Sequence, residues 1–94
     1  MKVKAKLVID GLPPAAVRTV DISSAGMSVA VEEPCRTGVM CTISFDLLLD
    51  GKPTPINARS KVAYCILSGG QFKVGLAFQN LDMGASSAIS KFLR

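Results

Sequence analysis

Basic and apolar residues alternate at the start of the chain. Lys2, Lys4 and Lys6 interleave with Val3, Ala5 and Leu7, and this period of two predicts a half-buried strand ending near Ile9. Asp10-Gly11-Leu12-Pro13-Pro14 carries turn chemistry. A short strand is expected from Ala16 to Val20, and its continuation from Met27 to Val31, beyond the junction Asp21-Ile22-Ser23-Ser24-Ala25-Gly26. Glu32-Glu33-Pro34 ends that run, because proline has no N–H to give a ladder.

Val39 to Leu49 predicts a further strand, with Ile43, Phe45, Leu47 and Leu49 on one face and Ser44 and Asp46 on the other. Leu48 also falls on the second face, out of pattern. Asp50-Gly51-Lys52-Pro53 reads as a hairpin-type turn. Ile56 to Leu67 follows as a strand, with Val62, Tyr64 and Ile66 sharing a face. Ser68-Gly69-Gly70 turns the chain, and Gln71 to Phe78 returns with Phe72, Val74, Leu76 and Phe78 aligned.

After Phe78 the period changes. Ala85, Ala88, Ile89, Phe92 and Leu93 recur at helical spacing, which predicts a helix from about Met83 to Phe92. Asn80 or Asp82 can cap its start, and Lys91 and Arg94 suit the negative end of its dipole. The fold class is therefore all-β with one C-terminal helix. Six antiparallel strands joined by tight turns most economically close into a barrel, which removes exposed edges. Phe45, Val62, Val74, Leu76 and Ile89 are the expected core.

The chain has 94 residues, enough for a single domain over 1–94. Apolar residues make up 49% and charged ones 19%, which favours a packed core over disorder. No apolar run approaches the roughly 20 residues that span a bilayer. The interleaved charges at the N-terminus do not form a signal peptide, so a cytoplasmic location is expected.

Cys35, Cys41 and Cys65 are an odd number without a C-x-x-C pair, which argues against a disulfide framework. The sequence has no histidine, so the commonest general base and metal ligand are missing. Neither an enzyme nor a metal or cofactor site is expected. The net charge is +4 and the basic residues are dispersed, unlike the clustered cations of a surface for polymeric nucleic acid. The aromatics fall at core-like positions, not as a stacking platform. A small anionic ligand suits this balance better.

The segment with the most chemical character is Asp21, Ser23 and Gly26. Two short polar side chains and a flexible backbone unit at a strand junction make a good turn, since Asp and Ser cap nearby N–H groups. The same groups also present a polar shelf to a ligand. Lys2, Lys4 and Lys6 form either a solvated strand face or a source of ligand contacts. Arg59 and Lys61, on a later strand, are more readily explained as solvated.

The order and spacing of these features resemble the PilZ domain. Asp21, Ser23 and Gly26 reproduce its D-x-S-x-x-G motif, preceded by Thr19-Val20. Val74-Gly75-Leu76-Ala77-Phe78 is similar to its V-G-x-x-F signature, and the match covers nearly the whole chain. The resemblance implies a six-stranded antiparallel barrel in a bacterial signalling protein. It implies cyclic di-GMP as ligand, with Asp21, Ser23 and Gly26 holding a guanine.

In the family an R-x-x-x-R segment wraps the ligand from the N-terminal side; this chain has none. Lys4 and Lys6 are the candidate substitutes, although lysine lacks the bidentate fork of arginine. Arg18, three residues before Asp21, is expected on the opposite face in a regular strand. Two functions follow from the resemblance. One is a cyclic di-GMP receptor of low affinity in motility or biofilm pathways. The other is an adaptor of the type IV pilus kind that binds no nucleotide and acts through a protein partner.

Overall fold

The computed structural model describes residues 4–93. Its elements are β1 (Lys4–Ile9), β2 (Ala15–Ile22), β3 (Gly26–Val31), β4 (Met40–Leu49), β5 (Lys52–Ser68), β6 (Gln71–Phe78) and α1 (Met83–Phe92). The strands close into a barrel in the order β1-β2-β3-β6-β5-β4, and every pairing is antiparallel. This is the all-β barrel with one C-terminal helix that the sequence pattern predicts. Lys2 and Arg94 lie outside the described residues.

β5 closes the barrel because it is long enough to serve two neighbours. Lys52 to Lys61 pairs with β4, and Ser60 to Ser68 pairs with β6. The strand begins at Lys52, four residues before the predicted start at Ile56. Pro53 and Pro55 are tolerated because β5 has only β4 beside it there, leaving one side without a ladder to supply. The turn before it needs two residues in the left-handed region. Asp50 (φ 50°) and Gly51 (φ 76°) provide them, as a two-residue hairpin requires.

The core is built from alternate positions on each strand. Leu7, Val17, Val29, Cys41, Ile43, Phe45, Leu47, Ile56, Ala58, Val62, Val74 and Leu76 are buried. All five residues expected in the core are among the buried set: Phe45, Val62, Val74, Leu76 and Ile89. Burying an aliphatic or aromatic side chain of this size contributes about 1.5–3 kcal/mol. Helix α1 packs Ala85, Ala88 and Ile89 against β4 and β5. Asp82 caps it: its Oδ1 accepts from the Ala85 N–H at 2.6 Å, and Lys91 sits in the last turn. Leu93, grouped with the buried helix positions by spacing, is instead the exposed C-cap residue.

Two irregularities redirect side chains. In β2 the register with β3 shifts between Thr19 and Asp21, and in β5 the register with β6 shifts between Val62 and Tyr64. Each shift is a β-bulge, which inserts one residue and reverses the inside–outside alternation beyond it. Val62 therefore points into the core, whereas Tyr64 and Ile66 point out, contrary to the single shared face expected for them. Arg18 and Asp21 are both exposed, not on opposite faces. β2 also runs on through Asp21 and Ile22, so Asp21 belongs to the strand and only Ser23–Ala25 make the turn.

Candidate functional site

The β2 bulge creates the site. With regular alternation Asp21 would follow buried Thr19 into the barrel, where an unpaired carboxylate is costly. The extra residue, Val20, turns Asp21 outward instead. There its Oδ1 accepts a hydrogen bond from the Ser28 hydroxyl across the ladder, at 3.0 Å. Ser28 itself is only 3% exposed, so this bond satisfies a buried hydroxyl with an accessible acceptor.

Ser23 organises the turn. Its N–H donates to the Gly26 carbonyl at 2.7 Å. Its Oγ accepts from the N–H groups of Ala25 and Gly26, both at 3.3 Å, and donates to the Gly26 carbonyl at 3.2 Å. Gly26 answers a packing demand. A Cβ there would lie 2.1 Å from the carbonyl oxygen of Leu76 on the adjoining strand β6, so only glycine lets β3 and β6 approach at this point. The Phe78 N–H closes the same corner on the Ala25 carbonyl at 2.9 Å.

The second bulge supplies the opposite wall. Beyond Ala63 it places Tyr64 opposite Gly75 on the barrel exterior. A Cβ on Gly75 would meet three Tyr64 ring atoms within about 2.5 Å, so the ring occupies the space that a side chain would fill. Tyr64 keeps 39% of its surface exposed. This corrects its expected core position, and with it the absence of an aromatic platform on the surface.

Asp21, Ser28, Gly75 and Tyr64 thus form one cross-strand row over β2, β3, β6 and β5. They line an open depression of about 280 Å³ together with Ser23, Gly26, Ala63 and Ala77. Neighbouring register rows bring cations to both sides. Arg18, Ala30, Lys73 and Ile66 form one row, and Gly26, Ala77 and Lys61 the other. Rows on one face are about 6.6–6.8 Å apart, within reach of long side chains. The arrangement offers a carboxylate acceptor, a half-exposed aromatic face and flanking cations. Those are the groups that recognise a purine edge, a base plane and phosphate.

Of the residues singled out from sequence, Asp21, Ser23 and Gly26 come together here. Lys4 is the register partner of Arg18 and borders a larger hollow of about 730 Å³, lined also by Leu12, Pro13, Pro14, Glu32 and Glu33. Lys6 is exposed beside Ser44 and Ala16 and lines neither hollow. Arg59 is committed elsewhere. Its Nη1 donates to Asp10 Oδ1 at 2.7 Å, its Nη2 pairs with Oδ2, and the hydrogen bonds hold the Asp10 carboxyl below its usual range. Ser28, Tyr64 and Gly75 were missed from sequence. The available signal was Gly75 inside an apolar strand, which marks a bulge or a close approach.

No group of three or more His, Cys, Asp or Glu among the described residues is placed to hold a metal. Burial pushes the Cys41 thiol up to about 11, and its Sγ donates to the Ser60 carbonyl at 3.6 Å. It is a fully buried core thiol. No helix among the described residues is long and apolar enough to cross a membrane.

A family model described as the PilZ domain matches residues 1–94. No curated protein sequence matches the chain significantly. Among solved structures, the fold is similar to the Bacillus subtilis inhibitor of motility MotI/DgrA. The TM-score is 0.85 at 13% identity, over 95% of this chain and 44% of that one. It is similar to the Borreliella burgdorferi PlzA protein, solved in complex with c-di-GMP, with TM-score 0.70 and 17% identity over 97% of this chain and 32% of that one. It is also similar to the PilZ domain of YcgR from Escherichia coli, solved with c-di-GMP, with TM-score 0.73 and 12% identity over 96% and 77% of the two chains. The chain therefore spans less than half the length of the first two.

Proposed function

The chain belongs to the PilZ domain family, and on that premise we propose that it is a signalling module that binds cyclic di-GMP, weakly, and acts by binding and not by catalysis. The observation that carries this reading is the outward Asp21. Its carboxylate faces solvent at one end of a four-strand row that ends in the half-exposed Tyr64 ring. A guanine placed there meets an acceptor for its N–H groups, with Ser23 beside it, and an aromatic plane. Arg18 and Lys73, one row away, supply positive charge for the phosphates.

Low affinity follows from the missing R-x-x-x-R segment. Two charge-assisted contacts at about 1.5–3 kcal/mol each correspond to roughly 10²- to 10⁴-fold in affinity, which puts the dissociation constant at tens of micromolar or weaker. Lys4, paired in register with Arg18, offers charge without the bidentate geometry. Two of the structurally similar proteins were solved with c-di-GMP, which supports the choice of ligand. Calorimetric titration of the chain with cyclic di-GMP tests the proposal. Saturable binding that Asp21→Ala removes is expected, and no heat at millimolar nucleotide overturns it.

A second reading has its own support. Ile66 (50%) and Leu67 (69%) are exposed on the outer half of β5. Asp21 and Ser23 already have hydrogen-bond partners within the chain. An adaptor that works through a protein partner needs just such an apolar surface and no nucleotide. Absence of cyclic di-GMP binding together with an intact fold favours this reading.

A further inference from the structure

Beyond Lys61 β5 leaves β4, and the segment after β3 comes up against it. The Gly38 N–H donates to the Val62 carbonyl at 2.7 Å, and the Val62 N–H donates to the Val39 carbonyl at 3.0 Å. At the far end of this contact the Cys35 N–H points at the sulfur of Cys65, at 3.4 Å. Both cysteines are free and part-exposed, unlike buried Cys41. With an N–Cα bond of about 1.46 Å, the Cys35 Cα lies within about 4.9 Å of the Cys65 sulfur. A bridge needs Cα atoms about 4.4–6.8 Å apart; the Cys35 backbone already lies against the Cys65 sulfur, and what remains is for the Cys35 side chain to turn its own sulfur towards it.

We propose that Cys35 and Cys65 are a thiol-modification site that forms an intramolecular disulfide on exchange with a low-molecular-weight disulfide. One thiolate attacks a sulfur of the oxidant, forming a mixed disulfide and releasing one small thiol. The second cysteine then attacks the protein-bound sulfur of that mixed disulfide and releases the other small thiol. Two protein thiols are oxidised, the small disulfide is reduced to two thiols, and the protons pass to the departing thiolates. Cys65, which already receives the Cys35 N–H, is assigned the first attack, and Cys35 resolves it. Burial and the neighbouring Cys65 raise the Cys35 thiol above its ordinary value, which fits the resolving role.

The bridge adds a covalent tie between segments now held by hydrogen bonds and by packing on the core. Cys35 lines the larger hollow, and Cys65 is the next residue in the chain after Tyr64, which lines the smaller one. Oxidation fixes the segment after β3 to the outer half of β5. The proposal stands apart from nucleotide binding, since it needs only the two sulfurs.

The test uses the full chain, reduced and then exposed to oxidised glutathione at neutral pH. Arg36, Arg59 and Lys61 put Cys35, Cys41 and Cys65 on different tryptic peptides, so non-reducing peptide mapping identifies the partners. The expected product is a monomer lighter by two hydrogens, with the Cys35 and Cys65 peptides linked, formed at a rate independent of protein concentration. Its melting temperature should exceed that of the reduced chain, and reductant should abolish the difference. Cys35→Ser should stop at the glutathione adduct on Cys65, and Cys65→Ser, which lacks the attacking thiol, should form an adduct much more slowly. A link through Cys41, covalent dimers only, or stable double glutathionylation without a bridge would overturn the proposal.

Discussion

Replacing Asp21 by alanine separates what that carboxylate does for the fold from what it does for a ligand. Asp21 is exposed, but the hydroxyl it accepts from, on Ser28, is 3% exposed. The loss therefore falls on Ser28. A buried donor left without an acceptor costs about 1–3 kcal/mol, whereas an exposed carboxylate that loses a donor regains water. Asp21→Ala should then destabilise by about 1–2 kcal/mol, and Ser28→Ala by less. The double variant should be no less stable than Asp21→Ala alone, a coupling of about 1 kcal/mol for a contacting pair. In a domain of this size 1–2 kcal/mol is roughly 4–16 °C in Tm.

Urea or thermal unfolding of the four proteins gives the coupling, and nucleotide titration of the same samples gives the second readout. Cyclic di-GMP binding should be lost in both variants lacking Asp21, even where Ser28→Ala restores stability. Ser28→Ala alone should bind with affinity close to that of the parent. Two results refute the reasoning. If Asp21→Ala melts with the parent, the Ser28 hydroxyl does not depend on it. If Asp21→Ala titrates like the parent once corrected for its folded fraction, the carboxylate is only a structural acceptor.

Gly26→Ala should destabilise by about 2–3 kcal/mol, since its Cβ would lie 2.1 Å from the Leu76 carbonyl oxygen and overpacking of a rigid backbone costs about 1–3 kcal/mol before any ladder bond is lost; an unchanged urea midpoint would count against it. Phe45→Ala should cost about 3–5 kcal/mol, and an unaltered melting transition would remove Phe45 from the core. Cys41 gives a pH dependence of known sign. Its thiol is raised from 9.0 to about 11 on folding, so its stabilising contribution is complete below pH 9 and is lost as pH rises towards 11. Under reducing conditions the alkaline fall in stability should therefore be shallower in Cys41→Ala than in the parent, and parallel pH profiles would contradict this.

The barrel was legible because four of its six strands announce themselves through alternation, and the helix through a change of period at Phe78. Only Val20 and Ala63 hid the site. Each is an ordinary strand residue, and nothing in its chemistry marks it as the inserted one. A bulge is decided by how two strands align, which a single strand does not display. The trace it leaves is a contradiction of parity. Thr19 is buried, so a regular strand would bury the Asp21 carboxylate as well. Either the carboxylate pays a large desolvation cost or the alternation breaks between them, and the break is much the cheaper.

The same logic reads Tyr64. Val62 is core, so parity would send the Tyr64 ring inward, opposite Gly75, where the partner offers no side chain to pack. Outside, the empty side of Gly75 becomes the seat for the ring. A strand-interior glycine facing an aromatic residue and a carboxylate at core parity are thus two readable signs of one event on neighbouring strands. Together they reverse both walls of the depression to the exterior. The motif Asp21, Ser23 and Gly26 specifies a turn and a close strand approach. The two bulges are what make that turn part of a surface with an aromatic face and flanking cations.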